Sequence, residues 1–412
     1  MPTLSHVDPR AALNGLASED LYGHDRMAKA FLRTILRLKS GSAVAVHGAP
    51  GSGKNQFLLR CAWLLQAERH TIGFDPTAPS AGVWCWYNPW LYQKHGNILA
   101  GLVATMAHHA NDRAALDRAR DIVGHINRMH FGEDMPESAG TGIQRGDLNP
   151  IERVRQGFVA LCQLLKQSAD GRVLVFIEDM DMLSPSARLL LFEGLRLLAT
   201  PDSDVTFVLS VGRESALESM RVREPGIEDQ SAAYCLAELL DLSITVPGMD
   251  IRRIALLLRK HIGSEEAVKR AFGNDAIDAL SHACASRPLG MPRFLERLAG
   301  RITLLAEFAV DTRSSRELSE AQWAWVIISE RWPDFRRFML RGGRDRWGHL
   351  RHALGGLSSG GAGFRPDADP TMVEWLKKDL IFADYLRIYA EEFEREADAV
   401  YWLETLQLAC GL

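Results

Sequence analysis

A short glycine-rich segment carries residues whose types and spacing suit phosphate binding. Residues 48–54 read Gly-Ala-Pro-Gly-Ser-Gly-Lys and join an apolar run at 43–47 to an amphipathic run that begins at Asn55. Glycines at such a turn let successive backbone N–H groups surround one anion. The N-terminus of the following helix adds positive potential, and Lys54 reaches the outer phosphates. The alternative, an ordinary glycine turn, is disfavoured by this strand-to-helix context. The predicted ligand contacts are Gly48, Ala49, Pro50, Gly51, Ser52, Gly53, Lys54, Asn55 and Gln56.

A second segment ends in acids. The apolar run 173–177 is followed directly by Glu178 and Asp179. At the carboxyl end of a parallel strand, one carboxylate can hold Mg²⁺ and a second can polarise an attacking water. Glu178 stands at the metal-side position and Asp179 at the water-activating position. An acidic turn without function is the alternative for this segment taken alone.

The residue after the loop lysine affects the predicted metal site. Asn55 stands where a Ser or Thr hydroxyl ordinarily binds Mg²⁺. An amide oxygen can replace that hydroxyl only with a different geometry, because the Asn side chain is longer. The predicted metal-ligating residues are therefore Asn55, Glu178 and Asp179. We expect the ion to be placed differently than with a Ser or Thr ligand, and phosphate binding to be retained.

The elements that must position these residues follow from hydrophobic periodicity. Helical spacing covers 21–38, and the short apolar runs predict strands at 43–47, 82–87, 173–177, 205–211 and 242–246. Short apolar strands separated by helical stretches are typical of a parallel sheet covered on both faces. From Ile251 onward only amphipathic helical patterns occur. The predicted fold class is an α/β three-layer core with a parallel sheet, followed by an all-helical C-terminal region.

The same patterns predict a domain organisation. Residues 1–250 form the core, in which a helical and mobile insertion lies near 108–150, loosest over 130–150. Residues 251–320 form a helical, lid-like subdomain. Residues 321–412 form a C-terminal helical region whose glycine- and serine-rich stretch predicts a flexible loop near 355–370.

Three further polar residues have candidate roles at a nucleotide. Ser210 lies near the end of the fourth predicted strand, where it could sense a γ-phosphate, and Arg213 lies just past that strand. Arg213 could contact γ-phosphate in the same chain or in a neighbouring protomer, or form a structural ion pair. Arg293 follows Pro292 at a helix start, where a cation opposes the helix dipole by roughly 0.3–1 kcal/mol. That placement favours contact between Arg293 and a phosphate; a solvated surface arginine is the alternative.

Composition limits the partners and the setting. The 412 residues have a formal net charge of −4, which gives no overall attraction to nucleic acid or an anionic membrane. The six cysteines are scattered through apolar runs, as is typical of reduced thiols in a cytoplasmic protein. No apolar stretch is long enough for a membrane span. We expect a cytoplasmic protein without a membrane span.

One local segment is strongly basic. Seven arginines lie between Arg331 and Arg351, with two tryptophans among them. They could contact nucleic acid phosphates or acids on a partner protein. They could also form a solvated helical face that pairs with the acidic stretch 391–398. The acidic balance of the whole chain favours a protein partner; nucleic acid stays possible but is not favoured.

These segments, taken in order, resemble those of the KAP family of P-loop NTPases. The loop 48–54 is one match, and Gly-Met-Pro-Arg at 290–293 resembles the family's Asn-Pro-Arg helix start. The other similar segments are the aromatic Asn-x-Trp run at 86–92, the acidic Walker B run at 177–182, the fourth strand at 207–214 and the Trp-Pro region at 323–339.

The resemblance implies a STAND- or AAA-like ATPase core that uses ATP and Mg²⁺ and acts in a multiprotein assembly, with protein partners or further copies of itself. It also suggests bacterial defence against phage. The chain departs from the family pattern at Asn55, Glu178, Met182 and Gly212. We therefore expect a slow ATPase that switches an assembly. The alternatives are a non-hydrolysing, nucleotide-stabilised scaffold and a nucleic-acid-binding regulator that uses the basic run 331–351.

Overall fold

The computed structural model describes residues 20–67, 81–95, 97–110, 112–131, 149–167, 171–285, 291–341, 345–358, 369–378 and 380–412. These residues divide into two units, one formed by 20 with 24–247 and the other by 21–23 with 248–412. Most of the predicted loose insertion (132–148) and of the predicted flexible loop (359–368) lies outside the described residues, as do Gly290 and Arg344. Among the described residues, no helix is long and apolar enough to cross a membrane.

The first unit is built on a parallel sheet. Its strands have the spatial order β2-β3-β4-β1-β5, and all of the strand pairs are parallel. Every residue of β1, β3 and β4 is buried, because helices cover both faces of the sheet. The strands are β1 Ser42–His47, β2 Ala81–Tyr87, β3 Arg172–Ile177, β4 Val205–Ser210 and β5 Leu242–Thr245.

Successive side chains of a strand pack into hydrophobic clusters on opposite faces of the sheet. Val44 and Val46 pack with the helices on one face, whereas Ala43 and Ala45 pack with those on the other. This period of two is the geometry of a pleated strand. The predicted three-layer α/β fold is confirmed. The helices of this unit are α1 Asp25–Ile35, α2 Lys54–Ala67, α3 Ile98–Ala110, α4 Arg113–Phe131, α5 Pro150–Gln167, α6 Pro185–Leu198, α7 Arg213–Arg223 and α8 Asp229–Leu239.

The strand register places the strand ends at one edge of the sheet. Val46 of β1 pairs with Ser210 of β4. Ile177 of β3 pairs with Leu209 of β4 and with Tyr87 of β2. Residues that follow β1, β2, β3 and β4 are therefore neighbours, although the chain separates them widely.

The second unit is helical throughout its described part, which confirms the predicted helical C-terminal region. One hydrophobic cluster runs from Leu21 and Tyr22 through the helices of this unit as far as Leu406. The division of this helical region into a subdomain at 251–320 and a C-terminal part at 321–412 stays a prediction. The helices are α9 Ile251–His261, α10 Glu265–Phe272, α11 Ala276–Ala285, α12 Pro292–Asp311, α13 Glu320–Arg331, α14 Pro333–Arg341, α15 Asp345–Ser358, α16 Pro370–Lys378, α17 Leu380–Arg395 and α18 Ala397–Ala409.

Candidate functional site

The glycine-rich loop joins β1 to α2, and its geometry favours glycine at three positions. Gly51 and Gly53 have φ angles of +80° and +93°, which lie in the left-handed region that side chains disfavour. A Cβ atom on Gly48 would come within 2.3 Å of Ser52 Oγ. That Oγ is itself buried and has no hydrogen-bond partner among the described residues. The loop thus holds a buried hydroxyl that a phosphate oxygen could satisfy.

Lys54 is the first residue of α2, and its buried ammonium group has three acceptors within the protein. Its Nζ donates to the carbonyl oxygens of Gly48 at 2.8 Å and Ala49 at 3.2 Å. It also forms an ion pair with Asp181 Oδ2 at 2.8 Å. The other oxygen of Asp181 accepts a hydrogen bond from the backbone N–H of Gly212 at 2.6 Å. An incoming phosphate would compete with these three acceptors for the lysine.

Two side-chain amides hold the two acids that follow β3. Asn55 Nδ2 donates to Asp179 Oδ1 at 2.8 Å and to Glu178 Oε2 at 3.4 Å. Asn88, which follows β2, donates from Nδ2 to Glu178 Oε1 at 3.1 Å and to Asp179 Oδ2 at 3.2 Å. Ser210 Oγ donates to Asn55 Oδ1 at 2.7 Å. The predicted residues Asn55, Glu178, Asp179 and Ser210 are thus brought together.

The direction of the Asn55 amide bears on metal binding. Its N–H₂ group must face the carboxylates, because the reverse orientation would place its oxygen against two anionic groups. The two carboxylates fit Mg²⁺, which prefers oxygen ligands. Asn55 does not fit it in this arrangement, since it offers the acids a donor and gives its oxygen to Ser210. Its predicted metal-ligating role would require the amide to turn over.

The acids also have an unusual electrostatic and backbone environment. Burial raises the pKa of Glu178, and the nearby Asp179 raises it further, whereas hydrogen bonds from Trp86 and Asn88 lower it. Asp179 adopts the left-handed conformation, with a φ angle of +51°. A non-glycine residue in that region carries backbone strain, of a kind that clusters at functional sites.

Three predicted site residues take no part in these hydrogen bonds. Gln56 is half-buried on α2, and Arg213 is exposed at the start of α7. Neither side chain makes a hydrogen bond or ion pair with another described residue. Arg293 is exposed in the first turn of α12, which belongs to the second unit. A role for each at a nucleotide stays a prediction.

Sequence reasoning assigned no site role to Asn88, Trp86, Asp181 or His47. The buried ring of His47 ends β1, and its Nδ1 lies 2.9 Å from the Val211 carbonyl oxygen. Burial lowers the pKa of His47. Because a carbonyl oxygen only accepts, Nδ1 donates to it and joins the ends of β1 and β4. A signal for Asn88 was available, because a polar residue directly after a predicted parallel strand belongs to the sheet's carboxyl edge.

The basic run 331–351 is not one solvated face. Arg336 is buried and donates from Nε to Glu404 Oε1 at 2.8 Å. The exposed Arg337 pairs instead with Asp334, three residues before it. The expectation that the run pairs with 391–398 is therefore wrong for these two arginines. The physical reason is that Arg336 faces the core of the second unit, where a buried charge requires a buried partner.

Comparison with known proteins agrees with the geometry of the loop and the acids. A family model described as the KAP family P-loop domain matches residues 24–308. The chain belongs to the KAP family. The matched range includes the glycine-rich loop, the acids after β3 and Ser210. A P-loop NTPase core is thereby established for this KAP protein.

Among solved structures, the KAP protein is similar to a chain in the structure of Drosophila ORC bound to DNA. The two are 12% identical, with a TM-score of 0.41, and the match covers 82% of this chain and 67% of that one. No curated protein sequence matches the chain.

Proposed function

We propose that this KAP protein binds ATP at the glycine-rich loop and hydrolyses it slowly. The observation that carries the proposal is the convergence of the loop, Lys54 and the two acids at the carboxyl edge of one parallel sheet. The loop supplies a buried cation at Lys54 and, at Ser52, a buried hydroxyl without a hydrogen-bond partner in the described part of the chain. Both groups suit the phosphates of a nucleotide.

Binding requires Lys54 to exchange partners. Its Nζ is held by Asp181 and by two loop carbonyls. A triphosphate carries more negative charge than one carboxylate, so it can displace Asp181 from the ammonium group. Backbone N–H groups of the loop then surround the phosphates, as the positive φ angles at Gly51 and Gly53 allow.

Hydrolysis depends on how Glu178 and Asp179 are held. Mg²⁺, when bound, would supply charge neutralisation at the phosphates, and the two carboxylates are the residues suited to hold it. Asn88 orients both acids through its amide, and Asn55 approaches them from the loop side. Because Asn55 presents N–H groups where a hydroxyl ligand ordinarily stands, we propose turnover well below about one per second.

The biological setting that we propose is suggested by the KAP family. We propose that ATP binding and slow hydrolysis switch a multiprotein assembly of protein partners or further copies of the chain, in the cytoplasm and in bacterial defence against phage. The arrangement at Asn55 also favours a second candidate, a nucleotide-stabilised scaffold that binds ATP without hydrolysing it. Turnover measured with saturating ATP and Mg²⁺ separates the two.

The first test is removal of the loop lysine. Lys54→Ala should weaken ATP binding well beyond tenfold in calorimetry, because the loop amides alone leave the triphosphate charge poorly balanced. Lys39→Ala is the matched control, since Lys39 is 72% exposed and lies before β1. It should bind ATP as the unmodified protein does. Unchanged affinity in a folded Lys54→Ala protein would mean that the loop is not the site.

A further inference from the structure

The second unit contains a pocket that joins arginine side chains to aromatic rings. Its volume is about 390 Å³, within the size range of small-ligand sites. It is formed by residues of α14, by Arg346 near the start of α15, and by Trp375 of α16. The lining residues are Asp334, Arg337, Phe338, Arg341, Arg346 and Trp375.

The charge of this pocket is positive. The side chain of Arg341 is exposed and makes no hydrogen bond or ion pair with any residue that the structure describes. Arg337 pairs with Asp334, and both side chains are 67% exposed, so the pairing is weak and easily exchanged. Arg346 donates to the Phe338 carbonyl oxygen with one of its nitrogens. The lining of the pocket thus contains three guanidinium groups and one carboxylate.

The aromatic part of the pocket offers a stacking surface. Phe338 and Trp375 are half-buried, and their ring centroids lie 6.0 Å apart with a 36° tilt. The guanidinium of Arg346 lies 4.0 Å from the centroid of the Phe338 ring. The partly exposed ring of Trp375 therefore lies among cations in one concave site.

We propose that this pocket binds a nucleotide unit, with its phosphate at Arg337 and Arg341 and its base against Trp375. Guanidinium groups match phosphate oxygens in a two-pronged geometry. Aromatic rings stack bases of any sequence. An acidic peptide would use the arginines but not the indole. A duplex keeps its bases stacked on each other, so the unit comes from a single strand or from a free nucleotide.

The proposal does not rest on the ATP site of the first unit. Binding is measured by anisotropy on the full-length Lys54→Ala protein, so that a probe bound at the glycine-rich loop is not counted. The probes are a labelled oligothymidylate without a terminal triphosphate, labelled AMP and a labelled polyglutamate peptide, each at physiological salt.

The variants are Arg341→Gln, Arg337→Gln combined with Arg341→Gln, and Trp375→Phe. The matched control is Arg270→Gln, because Arg270 is an exposed arginine of the same unit outside the pocket. Arg341→Gln should weaken oligothymidylate binding about tenfold, and Arg270→Gln should leave it unchanged. Each lost phosphate contact should also lower the slope of log affinity against log salt by about 0.7. Trp375→Phe should bind only moderately more weakly, because a stacking ring is retained.

Each outcome decides the proposal. Arginine-dependent binding of the oligothymidylate supports it with a single strand as the source, and arginine-dependent binding of AMP alone supports it with a free nucleotide. Binding of neither probe, or equal losses in Arg341→Gln and Arg270→Gln, overturns it. A third result would also overturn the proposal. If polyglutamate binds with the same arginine dependence, Trp375→Phe leaves that binding unchanged, and neither nucleotide probe binds, then the pocket is a site for an acidic protein partner.

Discussion

Asn55 illustrates how one side chain can keep a phosphate loop and alter its chemistry. The loop amides and Lys54 do not depend on the side chain at 55, so phosphate binding is preserved. The acids receive N–H groups from Asn55 at 2.8 and 3.4 Å. These hydrogen bonds offset the repulsion between Glu178 and Asp179, a task that a cation performs in a working metal site.

A hydroxyl at this position should restore metal-dependent chemistry. Asn55→Thr removes the amide from the acids and returns a ligand suited to Mg²⁺. Turnover should rise severalfold, since a displacement of about 1 Å at a reacting centre can cost roughly a hundredfold in rate. The measurement is phosphate release against Mg²⁺ concentration.

The control for that change is Asn55→Ala, which removes the amide without adding a hydroxyl and should not raise turnover. Brisk hydrolysis by the unmodified protein, reduced by the threonine, would show that Asn55 belongs to a working metal site.

At the scale of elements, Asp181 connects two parts of the sheet edge. One of its oxygens pairs with Lys54 at the start of α2, and the other accepts from Gly212 beyond the end of β4. The pair is largely buried, with 8% of the lysine side chain and 19% of the aspartate side chain exposed. This contact therefore stabilises the fold, and the proposed nucleotide would compete with it for Lys54.

Removing that competition should favour the nucleotide. Asp181→Asn keeps an acceptor for the Gly212 N–H but removes the charge that holds Lys54. We expect ATP to bind about three- to tenfold more tightly, because a larger fraction of the protein is ready to bind. The free protein should melt at a lower temperature, with a stability loss of about 1–3 kcal/mol. Calorimetry and thermal melting measure the two effects.

Asp202→Asn serves as the comparison for Asp181→Asn, since Asp202 is exposed in the same unit. It should change neither quantity. Weaker ATP binding in Asp181→Asn would show that Asp181 is itself part of the nucleotide site.

At the scale of the whole molecule, the two units depend on buried charge in different ways. In the first unit, the buried charge of Lys54 lies beside the glycine-rich loop and pairs with Asp181. The second unit encloses an ion pair between Arg336 and Glu404, which are 8% and 2% exposed. Trp325 Nε1 also donates to Glu404 Oε2 at 2.8 Å. This ion pair ties α14 to α18 and leaves Arg336 unable to contact an external partner.

Breaking the buried pair should destabilise the protein far more than breaking its exposed neighbour. Arg336→Met leaves the Glu404 charge without its cation, at a cost of about 3–5 kcal/mol. Arg337→Gln removes only an exposed pair, at a cost of about 0–1 kcal/mol. Urea unfolding followed by circular dichroism and tryptophan fluorescence measures both. Equal midpoints for the two variants would contradict the buried role of Arg336.

Local pattern was sufficient to predict the glycine-rich loop, the strand that ends in Glu178 and Asp179, and the three-layer fold. Those features depend on nearby residues, since glycine φ angles, strand alternation and helix starts are set within a few positions. The contacts of Asn88 with Glu178 and of Arg336 with Glu404 join residues 90 and 68 positions apart. Strand order and helix packing bring these residues together, so only the tertiary structure shows that they are partners. The same packing buries Arg336 and gives it a structural role.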